Sequence, residues 1–133
     1  MYTARSFRLS TLPSFKDGVA LLEDSRVVVE EAFGPVLPLL RFTDIDDVVA
    51  RANNTDYGLA ASVWSADEAK AREIGGRLEA GTVWINEIHH FSPHVSFGGH
   101  KQSWMGVENA LEGLAEYTNA QTIVTHKTPA PVA

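Results

Sequence analysis

The sequence predicts an α/β fold in which alternating strands and helices build a largely parallel sheet covered by helices. Three observations carry this reading. Short apolar or β-branched runs recur at 36–42, 60–64 and 82–85; helical periodicity appears in the segments between and after them; and the chain shows alternation rather than an internal repeat.

Taken in order, Val19 to Glu23 reads as a first strand and Val36 to Phe42, just after Gly34 and Pro35, as a second one interrupted by Pro38. Between them, Val27, Val28 and Val29 favour a strand by propensity, while Asp24 and Ser25 suit a helix cap; the segment from Arg26 to Glu31 is read as a short helix. Behind Asp44 the period changes. Ile45, Val48, Val49 and Ala52 fall on one helical face, and Asn53, Asn54 and Gly58 end the run. Ala60 to Trp64 reads as a strand. Ser65 and Glu68 have capping-box spacing ahead of a helix with Ala71, Ile74, Gly75 and Leu78 on one face, and Gly81 stands as its stop. Thr82 to Ile85 is a further strand closed by Asn86, and Glu87 to Met105 is a long loop. Val107, Ala110, Leu111 and Leu114 mark a last helix, and Gln121 to Lys127 a closing strand.

Composition narrows the function classes. The 133 residues carry 11 basic and 17 acidic side chains, a net charge of −6, and 44% hydrophobic residues, the mix of one globular domain able to bury a core. No basic stripe exists to neutralise phosphates or bind an anionic bilayer, so neither nucleic acid nor membrane is the expected partner. Without a signal peptide or an apolar run of spanning length, the expected compartment is the cytoplasm. Met1 to Phe15 has Arg5 and Arg8 but no acid before Asp17, which is compatible with a transit segment and equally with a poorly ordered terminus. Cysteine is absent, which removes disulfides, thiolate metal sites and every cysteine nucleophile.

Motifs with a known mechanism are also missing: no Gly-x-Gly-x-x-Gly, no Walker-type Gly-Lys-Ser/Thr, no Gly-x-Ser-x-Gly and no His-Glu-x-x-His. His89, His90, His94 and His100 lie close in sequence, but Pro93 breaks helical pairing and no carboxylate follows closely, so no metal is expected. Asp44, Asp46 and Asp47 read as first-turn acids offsetting a helix dipole.

The informative residues are Glu30-Glu31-Ala32-Phe33-Gly34-Pro35-Val36, then Tyr57-Gly58-Leu59-Ala60-Ala61, Ala80-Gly81-Thr82-Val83-Trp84-Ile85-Asn86, and Phe97-Gly98-Gly99 with Lys101, Gly106 and Glu108. In this order and spacing they resemble the C-terminal part of the NAD(P)-dependent aldehyde dehydrogenase superfamily, from Asp24 to about Lys127. The resemblance implies residues 1–18 as a divergent N-terminal segment, 19–120 as part of the catalytic domain, and 121–133 as an oligomerisation strand and tail. It places Glu31 at the hydroxyls of the nicotinamide ribose of NAD or NADP, Phe33 beside the nicotinamide ring, and Phe97 at the substrate tunnel. A carboxylate accepts from two vicinal hydroxyls and an aromatic face confines a ring, so the assignments are chemically sound. Equally, Glu31 reads as a solvated helix-end carboxylate, and Phe33 and Phe97 as core residues.

Two departures stand out. Trp104 occupies a position where the family usually has glycine, and Ser96 one where proline commonly precedes Phe-Gly-Gly. More consequential, the family's reaction needs a cysteine thiolate, a glutamate base and a dinucleotide-binding domain, none of which these residues supply, so no catalytic residue is assigned and cofactor binding by this chain alone is doubtful. Three readings follow: a catalytically silent segment that self-associates through its last strand, a complementing subunit whose partner supplies the missing half, or a regulatory module that binds a full-length enzyme.

Overall fold

The computed structural model describes residues 22–30 and 37–126 with their side chains, and 6–9 by their backbone. The elements run β1 (Ser6–Leu9), α1 (Arg26–Val29), β2 (Leu39–Phe42), α2 (Ile45–Asn53), β3 (Tyr57–Gly58), β4 (Ala60–Val63), α3 (Glu68–Gly75), β5 (Thr82–Ile85), β6 (His100–Lys101) and α4 (Ala110–Ala115). In place of one continuous sheet, the described strands form three two-stranded ladders. β1 and β2 pair in parallel, Ser6 opposite Leu39. β4 and β5 also pair in parallel, from Ala60 opposite Thr82 to Val63 opposite Ile85. β3 and β6 pair antiparallel, Tyr57 opposite Lys101.

The central unit is β4–α3–β5, a parallel pair joined by a crossover helix that packs on both strands. Ala71 is fully buried and Gly75 is buried beneath it, its missing side chain leaving room for Ile85 and Val83. Trp84, between Val83 and Ile85 on β5, is buried on the opposite face of the ladder, against the loop that follows. Val28, Leu40, Val48 and Val49 form the other buried cluster, where α2 lies on β2.

Caps explain where the two longer helices begin. The Asp44 carboxylate accepts from the Asp47 amide at 2.7 Å, and Asp67 accepts from Lys70 at 3.0 Å. The second case corrects the expected Ser65 cap. Ser65 is instead pinned to the end of β5, its amide donating to Asn86 Oδ1 and its carbonyl accepting from Asn86 Nδ2, both at 2.8 Å, so the helix starts only after Asp67. Its stop also moves. The helix closes at Gly75 and Gly76, and Gly81 has a different job, described below.

Other expectations are met in part. The strand expected at 36–42 begins at Leu39, because Pro38 has no amide to give a ladder. Of the strand expected at Val19 to Glu23, Leu22 and Glu23 lie in the turn that leads into α1, where Leu22 O accepts from both the Ser25 amide and Ser25 Oγ; 19–21 lie outside the described residues. α1 is a helix, as read, and its exposed Arg26 and Glu30 hold each other at 2.7 Å; that hydrogen bond raises the Arg26 pKa and lowers that of Glu30. Gln121 to His126 joins no ladder, and Ile123 and Val124 are exposed; Lys127 lies outside the described residues. A strand needs a neighbour to satisfy its amides, and no described strand lies alongside this one.

Asp44→Ala and Asp67→Ala should each lower stability by about 1 kcal/mol, read as a smaller denaturation midpoint, whereas Ser65→Ala should cost less helix stability than either.

Candidate functional site

The loop from Glu87 to Glu108 returns to the central unit and carries Phe97, the tunnel residue of the resemblance. An aromatic chain leads to it. Trp84 meets the Phe91 ring edge-on at 5.8 Å between centroids, and Phe91 meets Phe97 edge-on at 4.9 Å, both separations within the range favoured by ring quadrupoles. His89 stacks near-parallel on Phe91 and stands edge-on to Trp84 at 6.0 Å. The Trp84 indole donates to His90 O at 2.9 Å, tying the loop's start to β5.

Phe97 is held by its backbone. It exchanges two hydrogen bonds with Glu108, Phe97 N to Glu108 O at 2.8 Å and Glu108 N to Phe97 O at 2.7 Å. Next to it lies the tightest backbone approach of the glycines: a Cβ on Gly81 would sit 1.7 Å from Gly98 O and 3.1 Å from Gly99 Cα. Only glycine at 81 allows the loop to lie against the entrance of β5. Gly98 and Gly99 are crowded as well, a Cβ on either approaching Gly106 O or Trp104 Cβ at 2.9 Å.

α4 is joined to the same loop. Ala110 N donates to Pro93 O at 3.0 Å, and Ser96 Oγ donates to Glu112 Oε2 at 2.7 Å. The Ser96 hydroxyl, with the backbone amide of Glu112 itself, holds that carboxyl below the usual carboxylate range. Glu116 Oε1 accepts from Val107 N at 2.8 Å, closing the turn at Gly106, whose φ of 143° suits glycine.

The sequence-assigned residues are therefore only partly brought together. Phe97 sits in an aromatic cluster, half-buried; Glu31 and Phe33 lie outside the described residues. The histidines do not converge. Among the described residues no three His, Asp or Glu side chains could hold a metal, His89 being an aromatic packing residue and His90 a carbonyl acceptor. Nor do the starts of the two longer helices fit the phosphates of a dinucleotide, since α2 opens with Asp44, Asp46 and Asp47 and α3 with Asp67 and Glu68, which repel an anion from those amides. An open cleft of about 600 Å³ between β2 and α2 is lined by Glu23, Arg41, Phe42, Thr43, Asp47 and Arg51. Its charges offset one another, Arg51 pairing with both Glu23 and Asp47.

Two residues matter more than their sequence context suggested. Lys101, part of the motif but given no role, reaches Asn53 O, Thr55 O and Glu79. Asn53, read only as a helix end, donates to Arg77 O and accepts from the Glu79 amide, both at 2.9 Å. Gly81 and Gly98 both stand in the motifs, but that they meet is shown only by the fold.

Residues 18–123 match the profile of the aldehyde dehydrogenase family. The chain belongs to that family. Relatives agree: it is 49% identical over 107 residues to aldehyde dehydrogenase 1A1 of Gallus gallus, covering 80% of this chain and 21% of that one. It is 46% identical over 101 residues to betaine aldehyde dehydrogenase of Brucella anthropi, covering 76% and 21%. The apo betaine aldehyde dehydrogenase of Staphylococcus aureus, a G234S mutant, superimposes with a TM-score of 0.74 at 41% identity over 80% of this chain and 21% of that one. The NAD+ complex of an aldehyde dehydrogenase from Bacillus cereus gives 0.71 at 41% identity, over 74% and 20%. The chain thus spans about a fifth of the length of the relatives it matches. The α/β architecture is that of these aldehyde dehydrogenase neighbours. No described helix is long and apolar enough to cross a membrane.

Gly81→Ala should cost up to about 3 kcal/mol and displace the Phe97 loop, seen as lost dispersion of the Phe97 methine and ring resonances. Ser96→Ala should raise the Glu112 carboxyl towards its ordinary value of 4.5 in a carbon-detected NMR titration. In the parent the bond contributes stability above that ordinary value, and the contribution is lost as pH falls through the lowered folded one.

Proposed function

We propose that this chain is a segment from the C-terminal part of an aldehyde dehydrogenase catalytic domain, with residues 19–120 as domain and 121–133 as oligomerisation strand and tail. The family chemistry is oxidation of aldehydes with NAD or NADP. This chain contributes the Phe97 wall of the aldehyde site and, at the nicotinamide end, Glu31 and Phe33; by itself it is catalytically silent and self-associates. It works in the cytoplasm.

The carrying observation is family membership in 133 residues without a cysteine. The family's hydride transfer starts from a thiolate adduct of the aldehyde, and of the described hydroxyls near Phe97, Ser96 is spent on Glu112 and Ser103 accepts from Gly58 N. NAD or NADP, when bound, takes up the hydride; what these residues do is bound the site and exclude water through the Trp84–Phe91–Phe97 cluster. Self-association is supported by the exposed Leu111, Leu114, Tyr117, Ile123 and Val124.

A second reading, a complementing subunit, is favoured by the sheet. Three two-stranded ladders leave strand edges that another chain of the same fold, completing a largely parallel sheet, would cover.

The purified chain, given short and aromatic aldehydes with NAD or NADP, should form no reduced cofactor and should scatter light as an oligomer. Turnover by this chain alone would sink the silent reading; turnover appearing only on mixing with a chain that supplies thiolate, base and dinucleotide-binding domain would establish the second.

A further inference from the structure

We propose that Lys101 is the positioning residue of the Phe97 site: its ammonium, acting together with the Gly81–Gly98 contact, locks the loop in register with the rest of the fold. An ammonium has three protons to donate. Lys101 places them on three acceptors from three segments: Asn53 O at 2.7 Å in the last turn of α2, Thr55 O at 3.1 Å just beyond it, and the Glu79 carboxylate at 2.7 Å in the turn after α3. Two of these are carbonyls at a helix C-terminal end, where the helix dipole gathers negative partial charge and a cation is favoured. The side chain keeps 25% of its exposure, so the charge is partly withdrawn from water and its partners count for more.

These contacts close a ring. Asn53 bonds to Arg77 O and Glu79 N, the turn they belong to runs on to Gly81, Gly81 lies against Gly98 and Gly99, and Lys101 returns to Asn53. Phe97 adjoins the ring directly. Without the ammonium, β6 is held to β3 by the ladder pairs Tyr57–Lys101 and Gly58–His100, with Gln102 N donating to Asp56 O and Gly58 N to Ser103 Oγ, and the Gly98–Gly99 pair has no side chain to resist sliding past Gly81. Lys101 also sits at φ 54°, a left-handed conformation that a non-glycine residue adopts only where its surroundings hold it there. The ammonium supplies that hold. The inference uses the reading of Phe97 as a wall of the aldehyde site only for what the placement serves; the placement itself is tested without any turnover.

The 133-residue chain is labelled with 4-fluorophenylalanine and its fluorine spectrum recorded, Phe97→Leu assigning the Phe97 resonance and Phe42→Leu that of Phe42, which reports the β1–β2 region. Lys101→Met should move the Phe97 resonance towards that of the free amino acid and leave Phe42 in place, and Lys101→Arg, which keeps the charge, should restore it. A Phe97 resonance unmoved by Lys101→Met overturns the proposal, as does equal displacement by Met and Arg, which would make the effect one of side-chain shape. Should Lys101→Met collapse all the resonances together, Glu79→Gln decides at an exposed position: displacement of Phe97 alone supports the role, and coincidence with the parent overturns it.

Discussion

The approach of Gly81 to Gly98 is the constraint on which the rest of the site depends. Strand β5 begins one residue after Gly81 and Phe97 lies one residue before Gly98, so this single backbone contact seats the aromatic loop on the parallel β4–α3–β5 unit. Everything polar nearby serves it. The pair of hydrogen bonds between Phe97 and Glu108 fixes the loop on one side, and the indole of Trp84 fixes its start. Two glycines meeting in this way trade conformational entropy for proximity, and the surrounding hydrogen bonds offset the loss.

Electrostatics act here mostly as stitching between turns. Arg77 reaches Asp46 across from α3 to α2, and Lys101 joins the ends of both helices to β6. Such pairs at a surface are individually weak, but each of these also donates to or brackets a backbone turn, so it restricts geometry more than it adds stability. Among the described residues the buried apolar set is small: of the large side chains Trp84, Leu40 and the three valines are well covered, while Leu111, Leu114, Tyr117 and Met105 face outward. The polar latches therefore carry more of the burden of specifying one loop arrangement than they would over a large core.

Much of this was legible in the residues. The helix at 45–53 followed from its apolar period and its Asp44 cap, β4 from an apolar run and β5 from a β-branched and aromatic one, because those signals are local. The cap falls at Asp67 because Ser65 Oγ accepts from the Asp67 amide while the Ser65 backbone bonds to Asn86, and that long-range tie is encoded by no local pattern. The same holds for β3 and β6, two-residue strands separated by more than forty residues and recognisable only once paired. At the site, Phe97 was found through its family motif, whereas the role of Lys101 depends on carbonyls of Asn53 and Thr55, and backbone acceptors leave no trace in a sequence. The closing strand illustrates the reverse. Thr122, Ile123, Val124 and Thr125 have every preference for extended backbone, yet preference alone cannot supply a neighbour.

That last segment has a consequence for handling the protein. Gln121 to His126 lies outside any described ladder, is free of Asp, Glu, Lys and Arg, and has Ile123 and Val124 exposed at 81% and 87%. A short uncharged stretch of β-branched residues is the kind of sequence that stacks in register with copies of itself into fibrils. Lys127, Pro129 and Pro131 follow immediately, a charge and two ladder-breaking prolines where gatekeepers against such stacking belong. The proposed assembly and aggregation would draw on the same six residues, and shortening the chain after His126 would remove the guard while leaving the segment it guards.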